Sequence, residues 1–293
     1  MKNKLLLQTK LNLEYYFIYL IYKLMSVLPI NLVSFLGGSI FKLVGPLTKT
    51  QSIVKKNYLQ ISPYATKVEI LKQTKLSWLN TGKTFFELLI LPKIISINNK
   101  IIIEGLSYIE QVKKNKEQVI FIGIHESNWE ILLPTIDKLG ISVGGIYRHI
   151  NNPYIDKLIL KIREKCIVSN KSFYTPKGKQ SAKDIIDGIK NGLSVLLLID
   201  QKDSAGELVP LFNIPSKTQT GFLKLARKYN MKIIPIHNIR NKDNNFTLKF
   251  SPPMEKISDK QSDIEAMKKI HGIIEEWITD NPSGYFLQHN RFS

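Results

Sequence analysis

A histidine and a glutamate stand five positions apart, directly after an apolar stretch of this sequence. VIFIGI at 119–124 leads into His125, and Glu130 follows in the segment HESNWE. An imidazole acts as a general base when it reaches a reacting hydroxyl and when its second ring nitrogen has a partner. Glu130 could be that partner if the chain turns sharply after the strand and a helix begins near Asn128, a suitable N-cap. The turn is required, because on a regular helix a five-residue offset would place the His125 and Glu130 side chains on different faces. By spacing alone, a coincidence of two polar residues stays open.

Other familiar catalytic patterns are missing from the sequence. It contains no GxxxxGK[ST], no HExxH and no GxSxG. Cys166 is the only cysteine, which excludes an intramolecular disulfide and predicts a buried structural thiol. Ser127 is too close to His125 along the chain for the two side chains to be aimed at each other, so we expect no serine nucleophile. A base without a protein nucleophile implies that the substrate supplies the attacking hydroxyl or amine.

Short apolar runs alternate with helix-like segments from residue 101 onward. This alternation predicts an α/β fold with a central, mostly parallel sheet covered by helices on both faces. Ligands of such sheets bind beyond the carboxyl ends of the strands, where His125, Arg148, Asp200 and Gln201 fall. We expect strands at 101–105, 119–124, 142–147, 194–200, 233–239 and 246–250, and helices within 67–91 and at 128–139, 152–165, 180–190, 219–230 and 260–279.

A long apolar stretch lies in the N-terminal sixty residues. Between Tyr15 and Phe41 the only formal charge is Lys23, and about 20 apolar residues suffice to cross a bilayer. A proline and two adjacent glycines complicate a straight span, and lysines on both flanks fit a monotopic or hairpin insertion as well as a single crossing. A hydrophobic helix packed into a soluble core is the alternative. We predict a membrane-anchoring segment at 1–60 and an α/β catalytic domain at 61–293.

The chain is strongly basic. Its 42 Lys and Arg residues exceed its 24 Asp and Glu residues, which gives a net charge of +18. Such an excess favours an acidic partner, either nucleic acid, an anionic lipid surface or an acidic protein, although a solvated lysine-rich surface is the simpler explanation. Nucleic acid is not expected, because the basic residues are dispersed, no recognised motif is present and the apolar N-terminus would have no purpose.

Several ordered blocks resemble the late lipid A acyltransferases, membrane-bound bacterial enzymes that share the wider Hxxxx[DE] acyltransferase signature. GIHESNWE at 123–130 resembles their HxGNWE segment. The resemblance implies a glycerolipid-acyltransferase-like fold. It also implies transfer of a fatty acyl chain from acyl carrier protein to a hydroxyl of a lipid A precursor, with no metal or cofactor and no covalent enzyme intermediate. The remaining blocks are YRHINNPYIDKLILKIRE at 147–164, LLLIDQK at 196–202, VPLFNIPSKTQTGFLKLAR at 209–227, IIPI at 233–236 and NPSGYFLQHNRF at 281–292.

The resemblance also implies roles for individual residues. His125 would deprotonate the acceptor hydroxyl, Glu130 would hold and polarise His125, and Arg163 would stabilise the tetrahedral oxyanion. On this scheme, replacing His125 or Glu130 by Ala leaves folding largely intact and removes most activity. Residues expected to contact the substrates or shape their cleft are Asn128, Trp129, Arg148, Asn151, Asn152, Lys177, Lys179, Asp200 and Gln201.

This function would give the positive charge a use, because acyl carrier protein and a phosphorylated lipid A precursor are both anionic. It implies a location at the cytoplasmic face of the bacterial inner membrane, in contact with its phospholipids. Two other functions remain open. One is acylation of another glycolipid or phospholipid with acyl-CoA as donor, and the other is non-catalytic lipid binding by a membrane-bound relative.

The sequence departs from the family pattern at several positions. Ser127 stands where the family has Gly, Phe286 replaces a Trp, and Asn213 ends the block that reads FFG in the family. Asn213 is a mild change, because asparagine tolerates a left-handed backbone better than most residues. Glu126 adds a negative charge next to the proposed base, and the sequence assigns it no role.

Overall fold

The N-terminal part of the protein is helical. The computed structural model describes residues 2–258 and 262–292, without the side chains of residues 2–4. Pro29 separates the first two helices, because proline lacks a backbone N–H and disfavours a helical conformation at the preceding residue. The apolar run therefore does not form one straight helix. The first five helices are α1 (Lys2–Val27), α2 (Ile30–Val44), α3 (Gln51–Ile61), α4 (Lys67–Leu89) and α5 (Leu91–Ser96), with a 3-10 turn at Gly45–Leu47.

Helices α2 and α4 approach each other closely through two glycines. A Cβ atom built on Gly37 would lie 2.5 Å from the carbonyl oxygen of Gly82, and one built on Gly82 would lie 2.2 Å from the carbonyl oxygen of Gly37. Both distances are shorter than van der Waals contact. Gly37, one of the two adjacent glycines that complicate a straight membrane span, thus allows α2 to pack closely against α4.

One described segment is long and apolar enough to cross a membrane. Within residues 2–258 and 262–292, this is Ile30–Leu47, of which 33% is buried inside the protein. Large apolar side chains are exposed along both α1 and α2, for example Phe17 at 64% and Phe35 at 64%. Anchoring through residues 1–60, and the division of the chain at residue 60, stay predictions.

The strands form a central seven-stranded sheet and a separate hairpin. They are β1 (Ile101–Glu104), β2 (Val119–Gly123), β3 (Val143–Tyr147), β4 (Phe173–Pro176), β5 (Ser194–Leu198), β6 (Lys202–Leu211), β7 (Ile214–Thr218), β8 (Lys232–Arg240) and β9 (Phe246–Phe250). The sheet has the order β1-β9-β8-β2-β5-β3-β4. Its neighbouring strands are parallel except for β8 and β9, which are antiparallel. A separate antiparallel hairpin is formed by β6 and β7.

Helices cover both faces of this sheet, and each face has its own apolar core. Neighbouring residues of β2 divide between them, with Phe121 in one core and Ile120 in the other. This follows from the alternation of side chains along a strand that is buried on both faces. The remaining helices are α6 (Leu106–Lys114), α7 (Leu132–Lys138), α8 (Pro153–Glu164), α9 (Lys179–Lys190), α10 (Gly221–Lys228) and α11 (Asp263–Asp280).

The predicted α/β class and mostly parallel sheet are confirmed. Each expected strand is present, whereas β4, β6 and β7 were not anticipated. The β4 strand is short and ends at Pro176 on the edge of the sheet, and the hairpin is polar and largely exposed, so neither has the apolar run of a central strand. Helices α3, α5 and α6 were also missed. The helix expected at 260–279 begins at a position outside the described residues, because 259–261 are not described, and α11 starts at Asp263.

Candidate active site

His125 is held by Asp200, which lies opposite it at the end of the neighbouring strand. Gly123 of β2 is paired with Leu198 of β5, so the residues two positions further on face each other. Asp200 Oδ1 lies 2.8 Å from His125 Nδ1 and also accepts a hydrogen bond of 3.1 Å from the His125 backbone N–H. A carboxylate in this position makes Nδ1 the protonated ring nitrogen and leaves Nε2 free to accept a proton.

The expected contact between Glu130 and His125 is wrong. Glu130 lies on a 3-10 turn at Trp129–Ile131, and both of its carboxylate oxygens accept hydrogen bonds of 2.7 Å from Arg163 on α8. Arg163 and Glu130 are only 12% and 9% exposed. The two residues that the resemblance assigns to separate catalytic tasks therefore form a single bidentate ion pair, and Asp200 takes the place expected for Glu130.

The charges of these groups are set by burial and pairing. Burial opposes ionisation of Asp200, but its interactions with His125 outweigh that effect and lower the pKa of the carboxyl. Burial also disfavours the charged form of Arg163, and its ion pair and hydrogen bonds with Glu130 reverse the balance and raise the pKa of the guanidinium. Asp200 is thus an anion behind the imidazole, and Arg163 is a permanent cation.

The exposed side of the imidazole meets an amide and two aromatic rings. Gln201 Nε2 lies 3.2 Å from His125 Nε2 and can donate to it. Trp129 packs edge-on against the imidazole at 5.3 Å, and Phe286 lies 6.3 Å from it, each measured between ring centroids. These contacts fix the ring plane and direct Nε2 towards the space beside Gln201.

That space is a large cleft of about 1200 Å³. Most of the residues around it are apolar, and they come from helices α1, α4, α8, α9 and α10 and from strands β3 and β5. The polar ones include His125 and residues that follow β3, β4 and β5, such as Arg148, Lys177 and Gln201. The cleft therefore combines room for hydrocarbon with a few polar groups at one position. Seven predicted site residues line it: His125, Trp129, Glu130, Arg148, Arg163, Lys177 and Gln201.

The other predicted site residues lie outside the lining of this cleft. Asp200 stands behind His125, and Asn151 and Lys179 are exposed on the surface. Asn152 caps α8 by accepting from the Tyr154 N–H, while its amide donates to the carbonyl of Leu11 on α1. Its side chain is therefore used to join two helices.

Asn128 is also occupied by structural contacts. Its Oδ1 accepts from the Glu130 N–H at 3.2 Å, which confirms the expected N-cap, and its Nδ2 donates to Glu87 on α4 at 2.8 Å. Glu87 is fully buried and forms a bidentate pair with Arg240 of β8 at 2.7 and 2.8 Å. Ser34 of α2 donates to the same carboxylate at 2.5 Å. A buried polar network thus connects α2, α4 and β8 to the HESNWE segment, and nothing in the sequence spacing indicated it.

Ser127 has a structural role, as expected for a residue that is not a nucleophile. It is 3% exposed, its hydroxyl accepts from the Arg240 N–H at 3.1 Å and its backbone carbonyl accepts from the Thr84 hydroxyl. Its φ of 49° lies in the left-handed region that favours the glycine of the family pattern. Asn213 has a φ of 59°, which confirms the backbone conformation expected there.

Glu126 turns away from His125 into the sheet. Its Oε1 accepts from the Asn238 N–H at 2.9 Å and its Oε2 lies 3.4 Å from His237 Nε2, while His237 stacks on Trp277 at 4.8 Å. Burial raises the pKa of Glu126, and the contact with His237 opposes part of that rise. The residue that the sequence left without a role thus ties the start of the HESNWE segment to β8.

The C-terminal segment closes the site from one side. Its backbone pairs with the HESNWE segment, with the Phe286 N–H donating to the His125 carbonyl at 2.8 Å and the Ser127 N–H donating to the Gly284 carbonyl at 2.9 Å.

Side chains also make contacts with the C-terminal segment. Asn57 of α3 donates to the Leu287 carbonyl at 2.8 Å. His289 lines the cleft and, with its pKa lowered by burial, accepts from the Lys202 N–H. The terminal sequence block indicated this segment, but not its position against His125.

Cys166 is buried, as predicted, and donates to the Ile162 carbonyl at 3.3 Å. Burial raises the pKa of its thiol to about 12, so it stays protonated. Among residues 2–258 and 262–292, no group of three or more His, Cys, Asp or Glu side chains could hold a metal ion.

The sequence matches a known protein family over nearly its whole length. The family model described as bacterial lipid A biosynthesis acyltransferase matches residues 2–293. The protein therefore belongs to the bacterial lipid A biosynthesis acyltransferase family, and the resemblance seen in the ordered sequence blocks is confirmed.

Two individual proteins show more distant similarity. A lipid A biosynthesis acyltransferase from Haemophilus influenzae is 26% identical over 197 residues, which cover 65% of this chain and 60% of that relative. The match thus spans less than two thirds of the length of this curated relative. The crystal structure of the 1-acyl-sn-glycerophosphate acyltransferase PlsC from Thermotoga maritima is 12% identical, with a TM-score of 0.37 over 88% of this chain and 96% of that chain.

Proposed function

We propose that this protein transfers a fatty acyl chain from acyl carrier protein to a hydroxyl of a lipid A precursor at the cytoplasmic face of the bacterial inner membrane. The observation that carries this proposal is the His125–Asp200 pair, whose free imidazole nitrogen opens into a cleft with mostly apolar walls. Family membership supports the lipid A precursor as acceptor. The donor and the location rest on charge and on the exposed apolar surface of α1 and α2.

The reaction follows from the protonation states at His125. Its Nε2 removes the proton from the acceptor hydroxyl as that oxygen attacks the thioester carbonyl of the donor. Asp200 stabilises the imidazolium that forms and keeps the ring in one orientation. When the tetrahedral intermediate collapses, the carbon–sulfur bond breaks and the imidazolium returns the proton to the leaving thiolate. The acyl group moves directly from donor to acceptor, without a covalent enzyme intermediate.

Gln201 and Arg163 have distinct tasks in this scheme. Gln201 Nε2 lies beside His125 Nε2, where the acceptor hydroxyl must bind, so its amide would help to orient the imidazole and the hydroxyl. Arg163 uses two of its N–H donors on Glu130 and lines the same cleft. Its remaining donors and its fixed charge would stabilise the developing oxyanion, with Glu130 and the rings of Tyr147 and Tyr174 holding the guanidinium in place.

Substrate recognition would use the polar rim of the cleft. Arg148 and Lys177 are exposed cations on this rim and would contact the phosphates of the acceptor. Trp129 would contact the acceptor next to the base.

Asp200, Asn128 and Asn152 would shape the cleft through the contacts they make with other protein groups. Asn151 and Lys179 stand outside the lining and remain proposed contacts for the headgroup of a bound substrate.

The proposal is tested by lipid A mass spectrometry of a strain that lacks the gene. The deletion should give underacylated lipid A, the wild-type gene should restore it, and a His125→Ala gene should not. His149→Ala is the matched control, because His149 and Asp156 form a second histidine–aspartate pair at 2.7 Å whose imidazole is 60% exposed. Purified protein should also prefer acyl carrier protein over acyl-CoA as donor. Full complementation by His125→Ala, or unchanged lipid A in the deletion strain, would rule the proposal out.

A further inference from the structure

A second concave surface lies between α1 and α8, on the side of α8 that faces away from the active-site cleft. This groove has a volume of about 440 Å³. Helix α8 divides its residues between the two sites, since Ile159 and Arg163 line the cleft while Leu158 and Lys161 line the groove. The groove is therefore separate from the site assigned to acyl transfer.

One wall of the groove carries a row of lysines. Lys157 and Lys161 lie on α8, and Lys165 is the C-cap residue that directly follows it in helical conformation. The three are spaced four residues apart, so they lie on one helix face, and all three are exposed. Lys23 of α1 adds a fourth ammonium group and lies 5.4 Å from the ring centroid of Tyr19. In the part of the chain that the structure describes, none of the four ammonium groups makes an ion pair with a carboxylate. The groove thus concentrates uncompensated positive charge.

The opposite wall is aromatic. Tyr15, Tyr19 and Tyr22 of α1 line it at helical spacing, with ring centroids 5.8 Å apart for the first pair and 6.1 Å for the second. Tyr154 joins them across the groove, 6.0 Å from Tyr15. Tyrosine rings with an apolar body and a polar hydroxyl favour the boundary between hydrocarbon and lipid headgroups.

The opposite face of α1 indicates where the groove lies relative to a bilayer. Leu13, Phe17, Leu20 and Leu24 form an exposed apolar stripe on α1. At about 100° per residue, the centre of this stripe lies about 150° around the helix from the centre of the groove residues of α1. An interfacial helix buries its apolar face about 5–10 Å into the boundary of headgroups and acyl chains, so its other face lies near the lipid phosphates.

We propose that the groove between α1 and α8 binds the phosphate-containing headgroup of an anionic phospholipid. The lysines of α8 and Lys23 provide the charge, and the tyrosines provide hydroxyl donors and ring faces for the glycerol backbone. Bound lipid would fix α8, and with it Arg163, relative to the membrane. This inference rests on the proposed membrane location and is independent of the proposed chemistry at His125.

The test compares two variants with the same change in charge, using the full chain in detergent. The groove variant carries Lys157→Ala, Lys161→Ala and Lys165→Ala. The control variant carries Lys114→Ala, Lys268→Ala and Lys269→Ala, three exposed lysines on other helices. Native mass spectrometry measures retention of phosphatidylglycerol and of phosphatidylcholine by wild type and both variants. Because all six lysines are exposed, thermal unfolding should show that both variants are folded.

Wild type and the control variant should retain phosphatidylglycerol in preference to phosphatidylcholine. The groove variant should lose about 100-fold in apparent affinity, because each lysine beside an anionic surface contributes a factor of about five. Replacement of the same three lysines by arginine should restore retention. Equal retention by the groove and control variants would overturn the proposal.

Two further measurements separate other ligands from a lipid. If sn-glycerol 3-phosphate displaces phosphatidylglycerol at equal concentration, the groove is a site for a soluble phosphate and the proposal is wrong. If the groove variant retains phosphatidylglycerol but loses binding of acyl carrier protein, the groove is a protein docking surface and the proposal is also wrong. Transferase activity is measured in parallel, so a failure of the proposed function is recognised by an inactive wild-type protein that still retains the lipid.

Discussion

A single oxygen atom of Asp200 holds His125 in two places. Oδ1 lies 2.8 Å from the ring Nδ1 and 3.1 Å from the backbone N–H of the same residue. One contact orients the imidazole, and the other fixes the backbone from which it projects. This pairing depends on the adjacency of β2 and β5, whose carboxyl ends place the two residues opposite each other.

Asp200→Asn should therefore reduce kcat strongly while leaving KM and folding nearly unchanged. We expect a loss of about 100- to 10 000-fold, because the imidazolium loses its charged partner and the ring can adopt the wrong tautomer. Steady-state kinetics with the proposed donor, acylated acyl carrier protein, measure the effect. Asp203→Asn is the control, since Asp203 also lies at the cleft but is 4.0 Å from Lys177 and makes no contact with His125. Equal activity of the two variants would contradict the assignment.

The Glu130–Arg163 pair should contribute to stability as well as to activity. The pair is buried, so removing one partner leaves an uncompensated charge and should cost about 3–5 kcal/mol. This revises the expectation from the sequence that Glu130→Ala leaves folding largely intact. Urea unfolding of Glu130→Gln, Arg163→Met and the double variant tests the coupling, and the double variant should be more stable than the sum of the single changes predicts. Additive effects would show that the two residues act independently.

Glu87→Gln should destabilise the protein although Glu87 lies outside the cleft. The carboxylate is fully buried and accepts hydrogen bonds from Arg240, Asn128 and Ser34. Loss of its charge leaves Arg240 without its counterion, at a cost of about 3–5 kcal/mol. Ser34→Ala removes one hydrogen bond from the same network and should cost about 1 kcal/mol. Thermal unfolding of the two variants gives the comparison, and similar melting temperatures would refute the central role of Glu87.

Gly82→Ala should disrupt the packing of α2 against α4. The added Cβ would lie 2.2 Å from the Gly37 carbonyl oxygen, a backbone atom that cannot rotate away. Gly272→Ala on α11 is the matched change, because a Cβ there meets nothing within 4 Å and alanine favours a helix by up to about 1 kcal/mol. Unfolding measurements should thus show destabilisation for Gly82→Ala and a neutral or stabilising effect for Gly272→Ala. The opposite order would exclude close α2–α4 contact.

His271 should make the protein less stable in mild acid. It is 2% exposed and donates from Nδ1 to the Pro210 carbonyl at 2.6 Å, and burial lowers its pKa to about 4 from 6.5. The unfolded chain therefore binds a proton at a pH where the folded protein does not. The contribution is complete above pH 6.5 and is lost as the pH falls towards 4, at a cost of about 3 kcal/mol.

A His271→Gln variant isolates this effect. The variant should be less stable than wild type at pH 7, because glutamine replaces a well-packed imidazole, and the difference should narrow between pH 6.5 and pH 4. Urea midpoints at several pH values measure it. A constant difference across this range would show that His271 does not titrate on unfolding.

The sequence by itself determined the fold class and located the residue that we propose as the base. The apolar runs at 119–124 and 194–200 have the composition and length of buried strands, so the pattern predicted strands there and placed His125 and Asp200 at their ends. The ordered blocks determined the family across almost the whole chain. Both inferences use patterns of residues that are close together along the chain, and such patterns can be recognised without knowledge of the fold.

The tertiary structure decided which residues act together. The family resemblance implied Glu130 as partner of His125, but strand order placed Asp200 there, 75 residues away. Glu130 is instead paired with Arg163 on α8. The Glu87–Arg240 pair joins positions 153 residues apart, and the spacing of residues in the sequence did not predict it either. Hydrogen bonds and ion pairs require atoms to be close in space, and the order of strands in the sheet, which no single segment encodes, sets those distances.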